Sequence, residues 1–326
     1  MFPEIKKRGA SPLTLFFAGL ALAAGCLALC FSPARRPESS VIARAGAYAL
    51  LRGAPAPAGK TVTADRKTLL QGELLLVSPR HSLPGDFPQP DTRAVRALVG
   101  AYLPAAPDAL LRKEAIYALC AMETEHPLAG GLTYENGAVS AAQQNSLRLD
   151  AFDRFRQVKP LTEAMKKARA AVPGAGESEH QTGLAIDVVL TAPLALGSPD
   201  PLLRNEAGKW LAENAWRYGF IRRYAGQDEE GACEGIHLRY VGAVHAAAIH
   251  ALGASLEDYL ALLRREGSLT LTKNDAPAAY LYCAPCAEDW LFPVPEGASV
   301  SFSADNTGWA VAVVKPDRNI SSNTLQ

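Results

Sequence analysis

Ser178-Glu179-His180-Gln181-Thr182-Gly183-Leu184-Ala185-Ile186-Asp187 is the stretch on which the fold turns. It runs on into Val188-Val189-Leu190, and this β-branched content predicts a strand from Leu184 to Leu190. Alternate strand residues face opposite sides, so Leu184, Ile186, Val188 and Leu190 are expected to point into a core. Asp187 then faces the other way, with Ala185 and Val189 as small neighbours. His180 stands across the Gln181-Thr182-Gly183 turn, from where it can fold back towards that carboxylate.

A second stretch, Glu234-Gly235-Ile236-His237-Leu238-Arg239-Tyr240-Val241-Gly242, predicts a short strand from Ile236 to Val241. His237, Arg239 and Val241 share one of its faces, and Gly235 permits a bend that brings Glu234 beside His237. Two imidazoles and one carboxylate (His180, His237 and Asp187) make a sound three-ligand zinc set with a fourth position open to water. Glu234 suits the general base that takes water's proton and delivers it to the departing amine. The reaction class is metal-assisted peptide hydrolysis. Spacing alone leaves a plainer alternative open, since a lone His or Asp in a loop is usually a surface residue.

The whole stretches carry more than their spacing. Ser178 to Asp187 resembles the metal motif of the VanY-like D-alanyl-D-alanine carboxypeptidases, and Glu234 to Gly242 is similar to that family's second motif. Trp210 to Tyr224 resembles the segment connecting them. The resemblance covers about Gly72 to Arg264. It implies an α+β fold, an antiparallel sheet with flanking helices, shared with the hedgehog and lysostaphin-like metallopeptidases. It implies Zn2+ held by His180, Asp187 and His237, Glu234 as catalytic base, and peptidoglycan stem peptides ending in D-Ala-D-Ala as substrate. Ser140, Gln144, Ser178 and Arg239 are the expected substrate contacts. Two departures stand out: Val139 occupies the place of the family's substrate-binding arginine, and Gly235-Ile236 replaces the usual Pro-Trp. Arg239 is the expected substitute for the missing charge, ahead of Arg148, Arg222 and Arg223.

Around these motifs the chain divides into four parts. Lys6, Lys7 and Arg8 precede an uncharged run from Ser11 to Ser32, about the length a bilayer-spanning helix needs. Residues 1–32 are therefore expected to be a single-pass membrane anchor that leaves the rest outside the cytoplasm; a cleaved signal or lipoprotein segment is the alternative. The Ala-, Pro- and Gly-rich residues 33–66 suit a linker, and 67–266 the peptidase-like domain. Gly72 to Val77 is expected as its first strand. Helices are expected at Ala94–Leu103, Ala109–Met122, Ser140–Phe155, Leu161–Ala171, Trp210–Tyr218, Val244–Ala251 and Leu256–Arg264. Beyond Gly267 the pattern alternates in the strand period, predicting a small β-rich appendage in 267–326.

The 326 residues are 48% hydrophobic and 20% charged, with 33 basic and 33 acidic side chains. That balance lacks the basic excess of a nucleic-acid footprint. Cys283-Ala-Pro-Cys286 is expected to close a small disulfide or remain as free thiols, without the second pair that a four-cysteine zinc site requires. His245 and His250, five apart, are expected to be packing or surface residues.

Overall fold

The computed structural model describes residues 41–99, 104–128, 131–191, 201–224, 236–286 and 288–316. The expected membrane segment, Glu234, Gly235 and Cys233 lie outside the described residues. Fourteen strands are described, in chain order β1 Val41–Ala45, β2 Tyr48–Arg52, β3 Lys60–Ala64, β4 Thr92–Ala94, β5 Leu110–Arg112, β6 Leu132–Glu135 and β7 Ala185–Leu190, then β8 Phe220–Arg222, β9 Ile236–Tyr240, β10 Ser268–Lys273, β11 Ala276–Pro285, β12 Trp290–Val294, β13 Ser299–Ala304 and β14 Trp309–Lys315. The longer helices are α1 Lys113–Glu125, α2 Ala141–Arg156, α3 Leu161–Ala171, α4 Glu206–Asn214, α5 Ala243–Leu252 and α6 Leu256–Glu266.

The fold is mixed α and β with antiparallel sheets. A four-stranded sheet in the order β6-β7-β9-β8 carries both sequence motifs. Its β7 alternates as the sequence predicts, with Leu184, Ile186 and Val188 fully buried in a core shared with Ile116, Leu119 and Phe220. A six-stranded sheet, β1-β2-β10-β11-β14-β13, lies on α5 and α6. Its other face is covered by the β3-β12 pair through Phe292, Trp290 and Tyr282.

Three expectations are corrected. Residues 33–66 are not a linker along their described part: β2 pairs with β10, Leu50 opposite Leu271, and Leu50 is fully buried. Alternating small and apolar residues there suffice for a strand once β10, far along the chain, supplies the ladder. The stretch expected as a first strand, Gly72 to Val77, is buried but joins no sheet. Its backbone is satisfied by side chains and a loop instead: the Leu74 amide donates to Ser303 Oγ, the Leu76 amide to the Asp305 carbonyl, and the carbonyls of Glu73 and Leu75 accept from Arg239. The helices expected from Ala94 and Ala109 begin later, because β4 and β5 pair across Thr92–Ala94 and Leu110–Arg112 first.

Other elements fall where the pattern puts them. Leu161–Ala171 is α3, Ser140 caps α2, and α5 and α6 occupy Ala243–Leu252 and Leu256–Glu266. Gly219 ends the segment after α4 in the left-handed conformation, φ 92°. Cys283 and Cys286 are free thiols.

Candidate metal centre

β7 and β9 lie in register with Asp187 directly opposite His237, which fixes two of the three donors on one face of adjacent strands. The third comes from the turn before β7. Glu179–Thr182 forms a single tight turn that Gly183 closes at φ 69°, and this reversal brings His180 back over the strand. Donor atoms of His180, Asp187 and His237 all lie within 4.8 Å of one another. His180 Nε2 is 3.5 Å and His237 Nδ1 2.9 Å from Asp187 Oδ1.

The partners of the remaining ring nitrogens fix which atoms face inward. His180 Nδ1 lies 3.0 Å from the Gly137 carbonyl, which accepts only from an N–H, so Nε2 keeps its lone pair towards Asp187. His237 Nε2 lies 3.1 Å from Glu179 Oε2, and by the same reasoning Nδ1 is the inward donor. Asn136, at φ 46°, donates from Nδ2 to Asp187 Oδ2 at 3.2 Å. Each of the three donors is thus aimed by a second group, as metal-binding histidines and carboxylates generally are.

Glu179 is the residue the sequence reading missed. It is 3% exposed, and its Oε1 accepts from Arg223 Nε at 3.0 Å. Arg223 in turn makes a two-pronged bridge to Glu257 of α6, 2.8 Å on each arm. Burial alone would raise the Glu179 pKa, but Arg223, His237 and Arg239 overcome it and pull the carboxyl down to about 2. His237 shows the complement: burial disfavours its imidazolium, yet Asp187 and Glu179 raise its pKa to about 9. The site selects positive charge, and a two-nitrogen, one-oxygen donor set of this kind suits a divalent zinc ion. The signal that could have found Glu179 is its place beside His180, given that a ligating imidazole needs an acceptor for its outer N–H.

The other expected contacts are placed as follows. Arg239 shares the His237 face, opposite Ala185, but it is fully buried. Its Nη2 donates to the Glu73 and Leu75 carbonyls and its Nε to the Tyr240 carbonyl, while Nη1 lies 3.7 Å from Glu179 Oε1 without a hydrogen bond. It braces the floor of the site, which corrects the expectation of an arginine open to substrate. Ser140 Oγ accepts from the Gln143 amide as the cap of α2, and Gln144 Nε2 donates to the Pro173 carbonyl. Ser178 is 5% exposed, and its hydroxyl has no hydrogen-bond partner among the described residues. Arg148 faces Glu177 at 3.5 Å. Tyr224, a left-handed residue at φ 53°, sets its ring 5.6 Å from that of His237. His245 and His250 lie apart from the centre, hydrogen-bonded to Tyr259 and stacked on Trp216.

Comparison with known proteins agrees with this geometry. The family described as VanY, D-alanyl-D-alanine carboxypeptidase, matches residues 112–243. A D-alanyl-D-alanine carboxypeptidase of Enterococcus faecium is 30% identical over 186 residues, 56% of this chain and 57% of that one. YodJ of Bacillus subtilis (strain 168), itself a provisionally assigned carboxypeptidase, is 32% identical over 201 residues, 59% of this chain and 68% of its own length. The chain therefore spans little more than half of the first of these relatives. The vancomycin resistance D,D-dipeptidase VanXYg, solved with a D-Ala-D-Ala phosphinate analog, shares the fold at a TM-score of 0.64 and 22% identity. That likeness covers 79% of this chain and 99% of VanXYg.

Proposed function

The chain belongs to the VanY-type D-alanyl-D-alanine carboxypeptidase family, and from that premise we propose that it is a zinc-dependent carboxypeptidase removing the terminal D-Ala of peptidoglycan stem peptides. The convergence of His180, Asp187 and His237, each oriented by a further group, carries this reading. Zinc bound there supplies a Lewis acid for water and for the scissile carbonyl. The chain's own residues do the rest. Asp187 and the two imidazoles offer three inward donors, two on the sheet and one on the turn that leads into it, and Glu179 and the Gly137 carbonyl keep both rings in the required tautomer. Ser178, whose hydroxyl has no hydrogen-bond partner among the described residues, is the polar group proposed to meet the peptide. Glu234 is proposed as the base that moves water's proton to the leaving amine, on the strength of its place in the second motif. The peptidase is proposed to work outside the cytoplasm, held by its N-terminal apolar segment.

A second reading has one observation behind it. Val139 stands where the family resemblance expects an arginine, and the two arginines beneath the site, Arg223 and Arg239, are buried. Loss of one oxyanion donor costs on the order of 10²–10³ in turnover, so the alternative is a zinc-containing wall-recognition module with feeble catalysis. One experiment separates the two. The full chain, loaded with zinc, is incubated with a pentapeptide ending in D-Ala-D-Ala, and released alanine is measured. Release supports the carboxypeptidase. Stoichiometric zinc and peptide binding without release supports the recognition module, and absence of zinc removes both.

A further inference from the structure

Helices α2 and α3 form a hairpin that packs chiefly on itself. Their buried residues are small apart from Gln144 at the base: Ala151 on one helix, Ala164 and Ala168 on the other. Phe152 and Phe155 are half-buried, whereas several other apolar side chains at and near the tip are exposed. Val158 at the tip is 74% exposed, Leu161 52% and Met165 45%. Between them stand Arg154, Arg156 and Lys166, all exposed. Residues 141–171 hold seven basic and three acidic side chains in a chain that as a whole carries 33 of each. The rest of the molecule is acidic by the same margin.

We propose that this hairpin is an arm that docks by its tip on an anionic lipid surface. Exposed apolar residues ringed by long basic side chains suit the boundary between headgroups and acyl chains, where the stems lie along apolar surface and the charges reach the headgroups. The charge division favours lipid over a second copy of the chain. Two basic tips repel, whereas an anionic leaflet attracts the arm and repels the acidic remainder, so that one orientation is selected. The arm acts in addition to any N-terminal anchor and is independent of the catalytic reading.

The arm is tied to the metal centre at its base. Ser140 caps α2 three residues after Gly137, whose carbonyl holds His180. Gln144 and Arg148 fasten the first turns of α2 to Pro173 and Glu177. Sixteen helical residues rise about 24 Å, so docking at the tip holds the centre at roughly one helix length from the lipid.

The test places a solvatochromic amino acid at position 158 of the full chain, inserted either in pure phosphatidylcholine vesicles or in vesicles that also contain phosphatidylglycerol. Because the N-terminal segment is present in both, only the tip's surroundings are read. A blue shift of emission, quenched by lipids spin-labelled near the headgroup, is expected with phosphatidylglycerol and absent without it. Raised salt should reverse it, as should the combined changes Arg154→Glu, Arg156→Glu and Lys166→Glu. No shift in the anionic vesicles overturns the proposal. So does an equal shift in both vesicle types, a concentration-dependent shift without lipid, which marks self-association, or an equal shift with a soluble polyanion alone. The comparison between vesicles decides the matter even if the charge-reversed variant fails to fold.

Discussion

Glu179 is not one of the three convergent donors, yet it orients His237 and is itself held by Arg223. Outer partners of this type are typically worth a ten- to hundredfold change in metal affinity. Glu179→Gln is therefore expected to weaken zinc binding by that factor, measured by competition with a chromophoric chelator. Unaltered affinity would remove Glu179 from the site's machinery. Val139→Arg tests the opposite case, a charge that is missing. It is expected to raise kcat/KM on a D-Ala-D-Ala peptide by up to about 10²-fold, and an unchanged rate would show that this position does not face the scissile bond. At this scale the two motifs made His180, Asp187 and His237 legible, because residue type and strand alternation together specify a donor and its face. Depth was not legible. Alternation put Arg239 on the correct face and gave no hint that Glu73 and Leu75 carbonyls would bury it. Asn136 was hidden too, since its role depends on β6 ending one residue short of it opposite Asp187.

The turn between His180 and Asp187 works as a single element. Gly183 sits at φ 69°, and a Cβ there would come within 2.8 Å of Thr92 Cγ2 and 3.1 Å of Arg112 Cγ. A left-handed conformation costs a residue with a side chain about 1–2 kcal/mol before any clash. Gly183→Ala should accordingly lower the melting temperature and weaken zinc binding together, read by thermal unfolding and metal titration; a loss of stability with full affinity would uncouple the turn from the donors. Helix α3 was legible to the residue because Pro160 and Pro173-Gly174 bracket it. The Gly72–Val77 run was misread for a physical reason. Apolar residues in sequence signal burial, and they do not say whether a neighbouring strand or an arginine side chain will take up the carbonyls.

Across the whole molecule the sheet built from both halves of the chain decides where it may be cut. A chain beginning at residue 60 lacks β1 and β2, and with them Leu50, which packs fully buried with Leu269 and Leu271. Such a fragment is expected to lose its cooperative melt, while one beginning at residue 41 retains it; circular dichroism on heating distinguishes them. The same core holds His245 neutral. Burial, aided by Lys315, lowers its pKa from 6.5 to about 3. The unfolded chain takes up this proton below about pH 6.5 and the folded one does not, so the stabilisation is complete above that pH and declines as pH falls towards 3. Between pH 6.5 and 5 the loss amounts to about 2 kcal/mol, at about 1.4 kcal/mol per unit. Urea unfolding at those two pH values should show it in the wild type and a shallower decline in His245→Gln. The long reach of the sheet also bears on how the protein comes into being. Leu50 waits for Leu271, and β11 waits for β14 at Trp309–Lys315, so a ribosome must pass position 315 before the ladder can close. High contact order of this sort slows folding and leaves this sheet unclosed until nearly all of the polypeptide has been made.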